Sequence, residues 1–101
     1  MNKLYHCNAT CNGYTLVSYN TTIFYTDAKD NLIANIVPTT TTLMHIRKYV
    51  RWCKENGHKR QSERVQHLYN IWRATHKTQL CLCTDGNVID NYTGEVLDRV
   101  A

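Results

Sequence analysis

Proline is nearly missing from this chain: Pro38 is the only one among 101 residues. That excludes proline-rich docking tracts and stiff polyproline spacers. Glycine is scarce too, at four residues, each where a turn or a helix end is expected. None belongs to the clustered glycines that cradle phosphates or bind dinucleotides. No stretch approaches the roughly 20 apolar residues of a membrane span. The opening MNKLYHCNAT lacks the apolar run of a secretory signal. Together these absences predict a cytoplasmic protein without membrane contact. The Asn8, Asn20 and Asn91 sequons then read as chance products of a threonine-rich chain. Also missing are a glycine-flanked nucleophile, a helix-borne H-E-x-x-H and a pair of acids placed for glycoside chemistry. Asp85 and Asp90 read as turn and strand-end residues, so no enzyme is expected. Five cysteines is an odd number, which fits reduced thiols better than a disulfide framework.

What is present is organised around Pro38 to Gly57, PTTTTLMHIRKYVRWCKENG. Pro38 ends the preceding segment, because it cannot donate to a strand ladder. Thr41 or Thr42 is expected to cap a helix, the hydroxyl accepting from a free N–H of the first turn. Leu43, Ile46, Val50 and Cys53 recur at spacings of three and four, an arc of roughly 80° with Tyr49 on its edge. Gly57 is expected to close the helix in the left-handed conformation. Arg47, Arg51 and Lys54 line up beside this stripe, Lys48 lies further round, and Trp52 points well away from it.

Around this helix the chain reads as one domain over residues 1–101, with residues 1–13 irregular. YTLVSYNTTIFYT, residues 14–26, has strand composition, with Asn20 as a bulge or bend. Asp27 to Asn31 is a turn cluster, and Leu32 to Val37 a returning strand. After a polar link from His58 to Gln61, Ser62 is expected to cap a second helix. Val65, Leu68, Tyr69 and Trp72 share one face of it, which Ile71 widens. TQLCLC, residues 78–83, reads as a strand, Asp85-Gly86 as a hairpin turn and Val88-Ile89 as the return. Thr93-Gly94 is a further turn before a short apolar end at Val96 and Leu97. The order ββ-αα-ββ predicts an α+β fold: one antiparallel sheet from two hairpins, covered on one face by two helices.

Charge is unevenly placed. Twelve Lys/Arg against eight Asp/Glu give a net +4. Residues 43–64 hold seven Lys/Arg and two Glu, a local +5, and the remainder is −1. A basic face favours an anionic partner. The candidate partner-binding residues are Arg47, Lys48, Arg51, Trp52, Lys54, His58, Lys59, Arg60 and Arg64. There, cations can meet acids or phosphates while Trp52 stacks on a base. Cys7 and Cys11, with Cys81 and Cys83, form a second candidate: four thiolates completing a zinc site if the N-terminal segment docks on that strand. The alternation of Cys81 and Cys83 with Leu80 and Leu82 fits buried small hydrophobes instead. No metal or cofactor is expected.

The segment Leu16-Val17-Ser18-Tyr19-Asn20-Thr21-Thr22-Ile23 resembles an L-x-S-Y-x-T-x-I opening in small phage-encoded proteins of unknown function. There a strand pair leads into a Thr-Thr-x-x-x-His helix start, similar, with slightly different spacing, to Thr41-Thr42-Leu43-Met44-His45. The resemblance covers about residues 14–56 and brings no reaction or ligand with it. It implies a setting: an accessory gene of a phage or other mobile element, expressed in the bacterial cytoplasm. Small proteins of that setting often bind and block host machinery. The functional expectation is therefore a non-catalytic inhibitor of a host defence protein or ribonucleoprotein, a CRISPR effector for example. The alternative is a small basic DNA- or RNA-binding regulator, and a third reading is a zinc-stapled structural module.

Overall fold

The computed structural model describes residues 1–100. Five strands precede two helices and three follow: β1 (Asn2–Lys3), β2 (Ala9–Cys11), β3 (Thr15–Ser18), β4 (Thr21–Thr26), β5 (Leu32–Asn35), α1 (Thr40–Glu55), α2 (Lys59–Thr75), β6 (Gln79–Leu82), β7 (Val88–Asp90) and β8 (Val96–Asp98). All pairings are antiparallel, and the spatial order is simply β1 to β8. The helix pair is inserted between β5 and β6, which still pair with each other. This is the predicted α+β fold, with more and shorter strands than two hairpins supply.

The extra strands have identifiable causes. Residues 1–13, expected to be irregular, contribute β1 and β2. Their composition carries no strand signal, and backbone pairing places them: the Leu4 N–H donates to the Ala9 carbonyl at 2.9 Å, round a turn with Tyr5 at φ 48°. Residues 14–26, expected as one strand, fold back on themselves. Ser18 pairs with Thr21, and Tyr19 takes φ 54° at the turn. Asn20 is thus part of a reversal. The bulge lies between Leu16 and Val17, opposite Ile23. Both Ile23 and Phe24 are consequently buried.

The core lies between one sheet face and the helices. Leu16, Phe24, Ala34 and Leu80 form a row across β3 to β6, fully buried. Leu32, Leu82 and Val88 make the next row. Full burial of a leucine-sized side chain contributes roughly 1.5–3 kcal/mol. Above them pack Ile46, Tyr49 and Cys53 of α1 and Val65 and Leu68 of α2.

Both helix starts differ from expectation. Thr39, not Thr41 or Thr42, caps α1: its backbone is extended behind Pro38, and its hydroxyl accepts from the Thr42 N–H at 3.2 Å. Ser62 does not cap α2, which begins at Lys59 after the short link Asn56-Gly57-His58. The Ser62 hydroxyl instead donates to the Val50 carbonyl at 2.8 Å, tying the helices together. Gly57, at φ 80°, makes the sharp exit from α1.

The buried arc of α1 is rotated from the expected stripe. Thr42, His45, Ile46, Tyr49, Trp52 and Cys53 are buried, while Leu43 and Val50 are half-buried. On a 100° wheel the arc is centred near Tyr49, about 80° from the centre of the predicted stripe. Polar atoms on this arc are satisfied internally. The Tyr49 hydroxyl donates to the Asn12 carbonyl at 2.8 Å and accepts from the Gln61 amide at 3.2 Å. Ser18 Oγ lies 2.7 Å from His45 Nδ1. Trp72, expected in the core, is half-buried at the end of α2.

Candidate partner-binding surface

The rotation of α1 decides what its basic residues do. With Tyr49 facing the sheet, Arg47, Arg51 and Lys54 stand on the opposite pole, exposed. Arg47 and Lys54 make no ion pair among the described residues. Lys48 lies half-buried on the flank, close enough to His45 to lower its pKa after burial has done so. Arg51 is anchored. Its guanidinium carbon sits 4.4 Å above the Tyr5 ring centroid, and its Nε donates to the Tyr5 hydroxyl at 3.2 Å. That hydroxyl donates in turn to Glu55. Arg51 therefore fastens the β1–β2 turn to α1 and still reaches solvent.

Four expected surface residues have structural roles. Trp52 is 8% exposed. It stacks between Tyr49, with centroids 6.4 Å apart, and His58, at 5.7 Å, each pair within 15° of parallel. His58 is half-buried on Gly13, where an added Cβ would lie 2.5 Å from the imidazole. Arg64 is 9% exposed. Its Nη2 donates to the Asp30 carbonyl at 2.8 Å and to the Leu82 carbonyl at 3.3 Å, joining the β4–β5 turn to β6. Arg60 stays exposed but grips the Asp30 carboxylate with both nitrogens, at 2.7 and 3.3 Å. That pair holds Asp30 below the usual carboxylate pKa. Trp52 and Arg64 are thus corrected from surface to interior, His58 is held half-buried in the stack, and Arg60 is already neutralised. Lys59 is exposed, 4.0 Å from Glu63.

What solvent meets is Arg47, Lys48, Arg51, Lys54 and Lys59, beside a shallow groove of about 390 Å³ between the helices. Lys54 and Lys59 stand at the groove with Val50, Glu63, Gln66 and Asn70. Sequence reasoning missed Tyr5 and Asp30, which tie down Arg51 and Arg60. Neither carries a local signal, since their partners are 46 and 30 residues away.

The cysteines do not converge. Cys11 is on β2 and Cys81 on β6, with three strands between them, about 19 Å at the usual strand spacing. Burial pushes the Cys11 thiol up to about 11 and the Cys81 thiol up to about 12. The Cys7 thiol donates to the Leu4 carbonyl at 2.8 Å. Among the described residues no three His, Cys, Asp or Glu side chains are grouped to hold a metal ion. The Ser18–His45 pair has the contact of a nucleophile with its base, but both residues are buried, and no carboxylate among the described residues pairs with the imidazole. It reads as a mutually satisfied interior pair.

No helix among the described residues is long and apolar enough to cross a membrane. Compared with models of known families, with curated proteins and with solved structures, the chain matches none.

Proposed function

We propose that this chain is a non-catalytic binding protein that engages an anionic macromolecule through the solvent pole of α1. One observation carries the reading: Arg47, Arg51 and Lys54 align one turn apart on the helix face turned from the sheet, and two of the three have no ion-pair partner among the described residues. An exposed charge pair is worth only about 0–1 kcal/mol to a fold. The clustering therefore serves something outside the fold. Combined with the phage-like resemblance over residues 14–56, it supports an accessory protein that blocks a host defence component in the bacterial cytoplasm. A CRISPR effector presenting an acidic patch is one such target. The burial of Trp52 favours a protein partner over nucleic acid, because the basic pole loses the aromatic platform on which a base would stack.

The test is Arg47→Glu with Lys54→Glu, which leaves the Arg51–Tyr5 anchor in place. Each reversal puts repulsion at the contact. The double variant is expected to melt like the parent and to lose inhibition, read as phage plaque formation on hosts carrying defined defence systems and as effector capture. A folded variant with full inhibition would remove α1 from the mechanism. Salt-sensitive retention on bare DNA or RNA, without effector capture, would transfer the same face to the nucleic-acid reading.

A further inference from the structure

The sheet has a second face, and no helix covers it. Seven spacings between eight strands span about 34 Å. The strand order runs from β1 to β8 and the two edge strands do not pair with each other, so the sheet is open and not closed into a barrel. Strand alternation sends Phe24, Ala34 and Leu80 to the helices and their neighbours to the other side. The register joins five of those neighbours, Tyr25, Ile33, Cys81, Ile89 and Val96, into one row across β4 to β8. Tyr25 is 44% exposed and Val96 38%. Ile33 and Ile89 are half-buried, and Cys81, in the middle, is 5% exposed yet outside the core cluster.

The composition of this face is unusual. From β2 to β8 its positions carry Thr, Val, Tyr, Ile, Asn, Gln and Cys, and no charged side chain. A solvated protein surface carries about 25–35% charged residues. A free antiparallel sheet face is ordinarily polar. The charges that border it are Asp27, two residues beyond Tyr25 where the β4–β5 pairing ends, and Lys3 on edge strand β1.

We propose that two copies of the chain pair through this face, sheet against sheet. The charge distribution selects the occupant. A nucleic acid or an acidic protein would bury charges here with nothing to meet them, a costly desolvation. A second copy brings the same uncharged row, with Asp27 at its rim beyond the strand end. The net charge of +4 opposes self-association through any basic surface. Here α1 lies on the far side of each sheet, so the basic poles end up outermost and farthest apart. The row is also suited to a twofold: an axis running along the strands beside Cys81 lays the Tyr25 end of one row over the Val96 end of the other, an isologous contact. Aligned sheet packing at about 10 Å is the ordinary geometry for such faces. The dimer would present two α1 poles in opposite directions, although its existence does not depend on what they bind.

The experiment is light scattering after size exclusion over a concentration series, with wild type beside Tyr25→Lys/Val96→Lys. Both positions are exposed, so the double variant is expected to keep its circular dichroism and melt cooperatively. Wild type is expected at twice the chain mass at high concentration, dissociating on dilution, and the variant at the chain mass throughout. If the double variant fails to fold, Val96→Lys on edge strand β8 makes the same comparison alone. A wild type that stays monomeric at every concentration overturns the proposal. So does a dimer that survives the lysines, since its interface must then lie elsewhere. A face that captures a host protein while the chain remains monomeric overturns it as well.

Discussion

Trp52 is the sharpest probe of how α1 sits on the sheet. Its indole is the middle ring of a stack that runs from Tyr49, through Trp52, to His58 against Gly13. Trp52→Ala empties that position. Truncating a core tryptophan costs about 3–5 kcal/mol, part of which is the 0.5–1.5 kcal/mol that stacked aromatics contribute beyond their area. With the ring 8% exposed, the expected loss is about 3–4 kcal/mol. For a domain near this size each kcal/mol lowers Tm by about 4–8 °C, so the drop should exceed about 12 °C. Phasing from Leu43, Ile46, Val50 and Cys53 predicts a dispensable Trp52, and phasing of the second helix from Val65, Leu68 and Tyr69 predicts a costly Trp72. In the structure Trp72 is half-buried, 5.7 Å from Tyr69 and 6.2 Å from His76. Trp72→Ala is therefore expected to cost only about 1–2 kcal/mol. Urea unfolding followed by far-UV circular dichroism, with equal m-values required, measures both. Trp52→Phe should recover part of the loss. If Trp52→Ala unfolds at the parent's urea midpoint, the rotation of α1 is wrong, and with it the identity of its solvent pole.

Two other side chains make separate predictions. Burial, reinforced by the nearby Lys48 charge, pushes the His45 pKa below its ordinary 6.5. The folded state then keeps the ring neutral where the unfolded chain takes up a proton. Stability should be full above about pH 6.5 and decline as pH falls through that value towards the lowered one. His45→Gln should flatten Tm between about pH 8 and 5, and an unchanged slope would show that another group is responsible. Asp27, Asp30 and Asp90, all held below 3.8 by hydrogen bonds, add their own loss only at still lower pH. Arg64→Met should take the donor from the buried Leu82 carbonyl at about 1–3 kcal/mol, the Asp30 carbonyl being open to water. Lysine should rescue only part, because one ammonium cannot replace the planar fork. A methionine variant with the parent's urea midpoint would mean the buried guanidinium is not a structural tie.

Where sequence reading succeeded, the signal was local. Asp27 organises its own turn, its carboxylate accepting from the Lys29 and Asn31 N–H groups at 2.9 Å. Pro38, Gly57 and the Asp85-Gly86 turn punctuate the chain where it bends, with Gly57 and Gly86 at positive φ. Where it failed, the deciding partner was distant. β2 exists through pairing with β3, and β1 through pairing with β2. The expected surface of nine residues lost Trp52 and Arg64 to the interior and half of His58 to its contact with Gly13, because Gly13, Asp30 and Leu82 lie in reach only once the sheet has formed.

By itself, the sequence determined that there would be two adjacent helices between groups of hairpin strands, and that most of the positive charge would ride on the helices. Periodicity, turn chemistry and composition act within a few residues and need no fold to operate. Only the tertiary structure decided which side of α1 is basic and free. An amphipathic wheel weighs each side chain by hydrophobicity, so Leu43 and Val50 pulled the predicted stripe towards the seam with α2. In the folded chain α1 touches both the sheet and α2, and buried hydrogen bonds make His45 and Tyr49 as good at facing the sheet as any leucine. The tertiary structure likewise decided that one sheet face would be left uncharged and uncovered. That property belongs to eight strands in register and to no segment of the sequence alone.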